Sequence, residues 1–327
     1  MRGSIRWQVA QVIQNSTAVQ IGESRHDAKE LAREELEQQG LPATAENIGR
    51  EVGLHSYEYT RDVKEMLLRV AFYARELDGI RDIEMLSGEH FQSFGEQLIA
   101  KGEILYDSFK VYLSQMAKCE NLLNGYADAT GSRQVYEIRP AIDELRDLGK
   151  ATLETNEKNP RAYEDPRALI GANQVPTHGL AAAIQYEGGL RYYEMAKIDP
   201  DQLIGIRQDA YTGIAVGNIR LDPHDTKGGK GREVGVSVET FRALESHIQE
   251  HGVFKLENYQ NYLNSLKAAA AATGQAYHGS HGLRWNFAQE RYKEVTQSGR
   301  CHEEALHIVS WDMGHERGSI TMHYLGG

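Results

Sequence analysis

A polar segment closed by prolines divides the sequence near its midpoint. It starts at Thr155, continues through residues 156–159 without an apolar side chain, and reaches Pro160 and then Pro166. Polar stretches that end in proline are typical of connections between domains. Because 327 residues also exceed the usual length of one domain, we predict two domains, residues 1–160 and 161–327.

The sequence before this segment has the periodicity of helices. Apolar residues recur at steps of three and four between charged ones in the windows 28–38, 59–77, 105–123 and 141–154. Ser24 followed by Asp27 is a helix-start pattern, and Gly40 predicts the end of that first helix. Residues 125–140 are expected to join two helices. The first domain is therefore predicted to be all-helical.

The sequence after the segment mixes two periodicities. Within a β-like zone at 203–238, residues 211–221 and 232–238 are rich in alternating and β-branched side chains, and the glycine-rich stretch 226–231 between them predicts a hairpin turn. Helical patterns flank this zone at 177–185, 238–251, 256–272, 283–296, 303–313 and around Tyr324. The predicted fold class is mainly α with a small antiparallel β-sheet.

The cysteine content and the hydropathy limit where such a chain works. The two cysteines, Cys119 and Cys301, cannot form a disulfide framework, which indicates a reducing cytoplasm. The longest small-apolar run, 268–272, is far shorter than the ~18 residues of a membrane span, and residues 1–8 lack the apolar core of a signal peptide. We expect a cytoplasmic protein that does not interact with membranes.

The C-terminal quarter concentrates residues with chemical potential. His281 and Arg284 are three residues apart, so on a helix they lie on one face and can reach the same ligand. Arg offers a planar fork for phosphate oxygens, and His can donate a hydrogen bond or move a proton. Tyr324, nine residues after His315, carries a phenol that can form a covalent ester with phosphorus. Each residue alone is more often structural than catalytic.

In chain order these residues form a larger set. It comprises Gly189-Leu190-Arg191-x-x-Glu194, Lys227 in the glycine-rich turn, His281-x-x-Arg284, Leu306-x-x-Val309-Ser310-x-x-Met313-Gly314-His315, and Tyr324. The set resembles the tyrosine recombinase (phage integrase) family over roughly residues 173–325. The resemblance implies a helical core-binding (SAM-like) DNA-binding domain in front of a mixed α/β catalytic domain, in an integrase of a phage, genomic island or other mobile element.

The resemblance also implies a role for each residue. Tyr324 would attack a DNA phosphate and form a 3′-phosphotyrosyl intermediate, while Lys227 would protonate the leaving 5′-oxygen. Arg191 and Arg284 would clamp the phosphate oxygens. His281 and His315 would add hydrogen bonds and proton movement, with Glu194 supporting the first arginine. Lys230 is the rival of Lys227.

The implied partners are double-stranded DNA recombination sites and further copies of the chain, a dimer on each site and a tetramer in synapsis. No cofactor or metal is implied, since two arginines can supply the charge that metals supply elsewhere. Predicted DNA-contacting residues lie on the helix in window 105–123 and beside the glycine-rich turn: Ser108, Lys110, Tyr112, Gln115, Lys230 and Arg232.

Four features depart from the family pattern. The spacing from Arg284 to His315 is 31 residues (315 − 284), longer than in compact relatives. Trp285 stands where a second histidine is frequent, and Asp312 where an apolar residue is common. After Tyr324 the sequence has no room for the C-terminal helix that many relatives donate to a neighbour, so assembly by that exchange is not expected.

Other interpretations of the same residues remain open. The C-terminal histidines have neither Cys-x-x-Cys nor His-Glu-x-x-His spacing, which disfavours structural zinc. Residues 228–231 lack the ending of a phosphate-binding loop. A catalytically inactive DNA-binding accessory protein, or an enzyme like a type IB topoisomerase or telomere resolvase, would share the fold.

The charge balance restricts how DNA could be bound. The chain has 36 Lys+Arg against 47 Asp+Glu, whereas non-specific DNA affinity comes from basic residues. Residues 170–327 have 15 basic and 18 acidic residues, and residues 1–169 have 21 and 29. This excludes a broad basic surface and predicts a narrow positive channel between the domains, built on Arg191, Lys227 and Arg284, with weak and salt-sensitive non-specific binding.

Overall fold

The computed structural model describes residues 3–155, 160–226, 231–315 and 317–326. The chain divides into two compact units, Met1–Glu157 and Lys158–Gly327, where the sequence predicted a boundary after residue 160. The described residues are mainly helical with a small antiparallel sheet, so the predicted fold class is confirmed. Within the described ranges, no helix combines the length and the apolar character needed to cross a membrane.

In residues 3–155, the described part of the first unit, the regular elements are all helices, and one isolated bridge joins Val19 and Leu54. Its helices are α1 (Ile5–Asn15), α2 (Arg25–Gln38), α3 (Ala45–Glu51), α4 (Tyr57–Asp78), α5 (Gly88–Lys101), α6 (Tyr106–Thr130) and α7 (Arg139–Thr152). As predicted, α2 begins after Ser24, whose hydroxyl accepts from the Asp27 backbone N–H at 3.2 Å.

The long helices of this unit pack around one core. Apolar residues spaced three and four apart on α4, such as Val63, Met66, Leu67 and Val70, are buried against α1, α5 and α6. The junction predicted at 125–140 is wrong in its first part, because α6 continues to Thr130, with Ala127 buried in the core, before it ends at Gly131.

The second unit combines eight helices among its described residues with five short strands. The helices are α8 (Pro166–Gly171), α9 (Pro176–Gly188), α10 (Tyr192–Met195), α11 (Val238–His251), α12 (Tyr259–Ala272), α13 (Gly279–Gln297), α14 (His302–Asp312) and α15 (Ser319–Tyr324). The strands are β1 (Lys197–Ile198), β2 (Leu203–Gln208), β3 (Ala215–Leu221), β4 (Arg232–Ser237) and β5 (Phe254–Lys255).

The strands form two antiparallel sheets. β2, β3 and β4 form a three-stranded sheet in that order, with Asn218 opposite Gly235 in the β3–β4 pair, and β1 pairs with β5. Val234 and Val236 of β4 alternate with more exposed residues and turn toward the core, where α9 and α11 also pack. The predicted strands at 211–221 and 232–238 thus pair as a hairpin, whose turn residues 227–230 lie outside the described residues.

Candidate active site

The site begins at the end of α9, where the chain turns toward α10. Gly189 has a left-handed φ of +63° and ends the helix, and a Cβ there would lie 2.4 Å from Phe287 Cδ1. Two residues later, the backbone N–H of Arg191 donates to Glu194 Oε2 at 2.7 Å and its Nη1 donates to Oε1 at 2.8 Å. The tight turn therefore holds Arg191 and Glu194 against each other.

Arg232, the first residue of β4, contributes a second guanidinium to the same carboxylate. Its Nη1 donates to Glu194 Oε1 at 3.1 Å, its Nη2 to Oε2 at 2.8 Å, and its Nε to the Asp312 carbonyl at 3.0 Å. Only 5% of the side chain is exposed. The sequence predicted a DNA contact for Arg232, but the structure places the side chain inside the unit, because it is in phase with the buried Val234 and Val236.

Arg284 supplies a third guanidinium from α13. The residue is 1% exposed; Nη1 donates to the Gly189 carbonyl and Nη2 to the Met313 carbonyl at 3.2 Å. Nη1 also lies 3.9 Å from Glu194 Oε2. Burial, together with the charge of Arg191, lowers the pKa of Arg284 to about 10, so the side chain is still protonated near pH 7.

His315 follows the left-handed Gly314 just after α14. Its backbone N–H donates to the Ser310 carbonyl at 2.8 Å, while its buried Nε2 has no hydrogen-bond partner among the described residues. Burial, with the charges of Arg191 and Arg284, lowers the pKa of His315 to about 4. At neutral pH the ring is uncharged and can donate or accept one further hydrogen bond.

Tyr324 lies at the end of α15 and is 8% exposed. Its ring centroid is 6.2 Å from that of His315 and 5.4 Å from that of Trp285. The side-chain amide of Gln289 donates to the Tyr324 carbonyl at 3.0 Å. Trp285 therefore packs directly against the predicted nucleophile.

The charges of this cluster do not cancel. Arg191, Arg232 and Arg284 bring three positive charges and Glu194 one negative charge, which leaves two positive charges in excess (3 − 1). Burial opposes ionisation of Glu194, but hydrogen bonds and charge from Arg232 and Arg191 outweigh it and lower its pKa to about 2. The carboxylate thus stays ionised, and the excess positive charge favours an anion such as a phosphate diester.

The remaining predicted site residues lie elsewhere. His281 is exposed in the first turn of α13, one turn before Arg284. Lys227 and Lys230 lie outside the described residues. The four residues predicted on α6 do not share an exposed face: Ser108 and Lys110 are exposed, Tyr112 is half-buried and Gln115 is buried. Lys110 pairs with Asp107 at 2.7 Å, and Tyr112 packs under the Arg69 guanidinium.

A second charged cluster, which the sequence did not predict, adjoins the first. Arg291 of α13 donates from Nη2 to Asp209 Oδ2 at 2.6 Å and from Nε to Asp312 Oδ2 at 2.8 Å. The three residues are far apart in sequence. The one indication of this cluster in the sequence is Asp312, which interrupts the apolar pattern at the end of α14.

Metal-ligating side chains meet at one place in the described part of the chain. Asp222, His224 and Asp225 bring possible ligand atoms within 4.8 Å of one another. This group is solvent-facing, and Asp222 already accepts from Arg220 Nε at 3.1 Å. It is separate from the arginine cluster in its residues and in its sequence position.

The fold and the site define a mainly helical protein of two compact units, the second of which gathers three arginines, a histidine and a tyrosine near one buried glutamate. No family model matches the chain, and no curated protein matches it.

Solved structures do match. A crystal structure of XerA recombinase is similar with a TM-score of 0.37 and 12% identity, over 92% of this chain and 93% of that one. A crystal structure of a lambda integrase dimer bound to a COC' core site has a TM-score of 0.46 and 13% identity, over 92% of this chain and 77% of that one. Because both TM-scores are below 0.5, any function rests on the chain's own residues.

Proposed function

We propose that this chain is a tyrosine recombinase, an enzyme that cuts and rejoins DNA strands through a 3′-phosphotyrosyl intermediate. The observation that carries the proposal is the convergence of Arg191, Arg284 and His315 beside Tyr324, with two positive charges in excess. A phosphate diester brings one negative charge, and a second develops in the transition state. Fixed guanidinium groups in a buried site stabilise that second charge without reorganisation.

The step balances without an external cofactor. The Tyr324 phenol oxygen forms a bond to phosphorus, and the bond from phosphorus to the 5′-oxygen breaks. The phenol proton is lost to a base, and the 5′-oxygen takes a proton from the general acid, for which Lys227 is our assignment and Lys230 the rival. Religation to a partner strand reverses both transfers, so the bond energy is conserved.

The histidines serve the same phosphate. His315, neutral at pH 7 and with its Nε2 still unpaired, is suited to donate a hydrogen bond to a non-bridging oxygen. Arg284 Nε is likewise buried without a partner among the described atoms. A bound phosphate can accept a hydrogen bond from each of these groups, whose unmet hydrogen bonding otherwise costs free energy. His281 is assigned a supporting contact from the exposed start of α13.

Access to the nucleophile requires movement. Tyr324 is 8% exposed and Arg284 is 1% exposed, so a DNA strand reaches them only if α15 shifts. The Gln289 contact to Tyr324 and a hydrogen bond from Thr321 Oγ1 to the Leu306 carbonyl at 3.0 Å hold α15 in place. Each contributes about 1 kcal/mol net, and displacement of α15 must also separate Tyr324 and Ile320 from the apolar cluster that they form with Trp285 and Met313.

The DNA partners of the proposal are duplex recombination sites of a phage, genomic island or other mobile element, bound by a dimer on each site and a tetramer in synapsis. Ser108 and Lys110 stay predicted backbone contacts because both are exposed on α6. The same proposal includes that the protein acts on nucleoid DNA in the cytoplasm.

A pool of nicked duplexes with randomised sequence around the nick tests the proposal without a known site. A strand cut near the nick loses its short end and cannot be rejoined, so a covalent adduct accumulates and survives denaturing electrophoresis. We expect adducts with the native chain and none with Tyr324→Phe, while Arg191→Ala abolishes adducts but retains most DNA binding.

Two outcomes would contradict the proposal: no adduct from the native chain across the pool, or adducts that persist in Tyr324→Phe. Sequencing of trapped duplexes then separates a recombinase from a topoisomerase-like enzyme. A recombinase selects a defined, two-part site, whereas an enzyme that relaxes supercoils is trapped on many sequences.

A further inference from the structure

The charged cluster around Arg291 connects three segments of the second unit. The Arg291 side chain is 12% exposed. Its Nη1 and Nη2 donate to the two carboxylate oxygens of Asp209 at 3.3 and 2.6 Å, and its Nε donates to Asp312 Oδ2 at 2.8 Å. One guanidinium in α13 thus binds the turn after β2 and the last residue of α14 at the same time.

The Asp209 end of this connection is rigid. Asp209 Oδ1 accepts from the Thr212 backbone N–H and from Thr212 Oγ1, both at 2.8 Å. The Asp209 backbone N–H donates to the Ile214 carbonyl at 2.8 Å, and its carbonyl accepts from Gly213 N at 2.9 Å. The turn between β2 and β3 is therefore closed by its own hydrogen bonds, and Asp209 offers Arg291 a fixed partner.

The Asp312 end leads directly into the arginine cluster. The Asp312 carbonyl accepts from Arg232 Nε, and the carbonyl of the next residue, Met313, accepts from Arg284 Nη2. Gly314 and His315 follow. The backbone carbonyls of residues 312 and 313, at the end of α14, thus accept hydrogen bonds from two of the three guanidinium groups.

The Asp312 side chain connects these two carbonyls, through Arg291, to the β2–β3 turn. Burial raises the pKa of the Asp312 carboxyl, and the charge of Arg291 opposes that effect. A half-buried carboxylate without its cation would take up a proton or turn toward water. Either change would release the end of α14 from the β2–β3 turn.

We propose that Arg291 is a positioning residue of the arginine cluster: by joining Asp312 to Asp209, it holds the carbonyls of residues 312 and 313 where Arg232 and Arg284 bind them. Arg291 itself touches none of the reacting atoms. The expected effect of Arg291 on the rate of adduct formation rests on the function proposed above, whereas its expected effect on the pKa of His315 does not.

A double variant tests the proposal: it removes the Asp312 charge together with its cation, while Asp209, which loses the same cation, keeps its two hydrogen bonds from Thr212. Arg291→Met with Asp312→Leu removes both charges and keeps apolar side chains of similar length. Arg291→Lys is the conservative variant, since a single ammonium can reach one carboxylate but not bridge two in fixed geometry. Arg220→Met, which removes the exposed ion pairs with Asp201 and Asp222, is the control for loss of an ion pair elsewhere in the unit.

The first measurement is an NMR titration of His315, whose pKa responds to the charges of Arg191, Arg284, Arg232 and Glu194. In the native chain the midpoint is expected near pH 4. In the double variant we expect it to rise by at least one pH unit, because a released 312–315 segment admits water to the ring. Arg220→Met should leave it unchanged, and Arg291→Lys should give an intermediate value.

The second measurement is the rate of adduct formation at saturating DNA. The double variant should form adduct at least tenfold more slowly, with the half-saturating DNA concentration within twofold of the native value. Loss of stability alone would leave both the rate and the His315 midpoint unchanged at temperatures well below unfolding, and that result overturns the proposal.

The two proposals can fail separately. If the native chain forms no adduct, the recombinase function fails, and the His315 titration still decides the role of Arg291. If the native chain forms adduct and the double variant matches it in rate and in the His315 midpoint, only the role of Arg291 fails.

Discussion

Arg232 binds Glu194 through both of its Nη atoms, and this two-point contact is buried on both sides, with 5% of the Arg232 side chain and 1% of the Glu194 side chain exposed. Arg191 binds the same carboxylate. Glu194 is therefore the shared counter-ion of two guanidinium groups, and it sets where they lie.

Glu194→Gln should destabilise the second unit and remove the contribution of Glu194 to the pH dependence of its free energy of unfolding. The pKa of Glu194 is about 2 in the folded chain and about 4.3 when unfolded. As the pH falls from about 4 toward 2, the unfolded chain binds the proton first, so stabilisation present above pH 4 is lost. Urea unfolding should show a loss of about 3 kcal/mol at pH 7, which shrinks toward pH 2. An equal loss at both pH values would contradict the assignment.

Gly314→Ala should displace a side chain of the arginine cluster in addition to straining the backbone at residue 314. A Cβ at Gly314 would lie 2.8 Å from Arg232 Nη1, whose guanidinium is fixed by Glu194 and the Asp312 carbonyl. Gly274→Ala is the matched control, because Gly274 has φ +69° against +72° and open space around it. Both should lose about 1 kcal/mol from left-handed strain, and only Gly314→Ala should also shift the His315 titration.

His315 should titrate near pH 4 in the DNA-free protein. NMR of the ring resonance, assigned by its absence in His315→Gln, measures this midpoint. The unfolded chain takes up the proton near pH 6.5 and the folded chain only near pH 4, so this histidine reduces stability as the pH falls between those values. DNA binding should raise the midpoint, since a phosphate favours the imidazolium. A midpoint near 6.5 without DNA would contradict the burial of the ring beside three arginines.

The choice between Lys227 and Lys230 as the general acid can be made with a modified leaving group. A substrate with sulfur at the 5′-bridging position leaves as a thiolate, which needs no proton. The Lys227→Ala variant should cleave the oxygen substrate about 10²- to 10⁴-fold more slowly than the native chain does. It should cleave the sulfur substrate at the native rate. Lys230→Ala, the matched control, should cleave both normally. The reverse pattern would assign the acid to Lys230.

The sequence predicted most helices because each buries a stripe of residues three and four apart, as in α4 and α11, whose ends lie within a few residues of the predicted windows. It did not predict the β1–β5 pair. Each of those strands is two residues long, too short to carry a periodicity, and their pairing depends on the packing of segments more than fifty residues apart.

The arginine cluster was predictable only in part. Arg191, Glu194, Arg284, His315 and Tyr324 could be proposed from their order along the chain. Arg232 was assigned to the surface because it follows lysines beside a turn, although its phase with Val234 and Val236 indicated the interior. The Asp209–Arg291–Asp312 cluster could not be predicted, because which charges pair across 82 residues depends on the folded packing.

Peptide mapping of the trapped adduct tests the central claim most directly. After nuclease digestion, trypsin should release residues 318–327, which contain Tyr324 as their only tyrosine. We predict a nucleotide joined through its 3′-phosphate to Tyr324 in this peptide, detected by mass spectrometry. A nucleotide on any other residue, or a trapped duplex that leaves the 318–327 peptide unmodified, would contradict the assignment of this site.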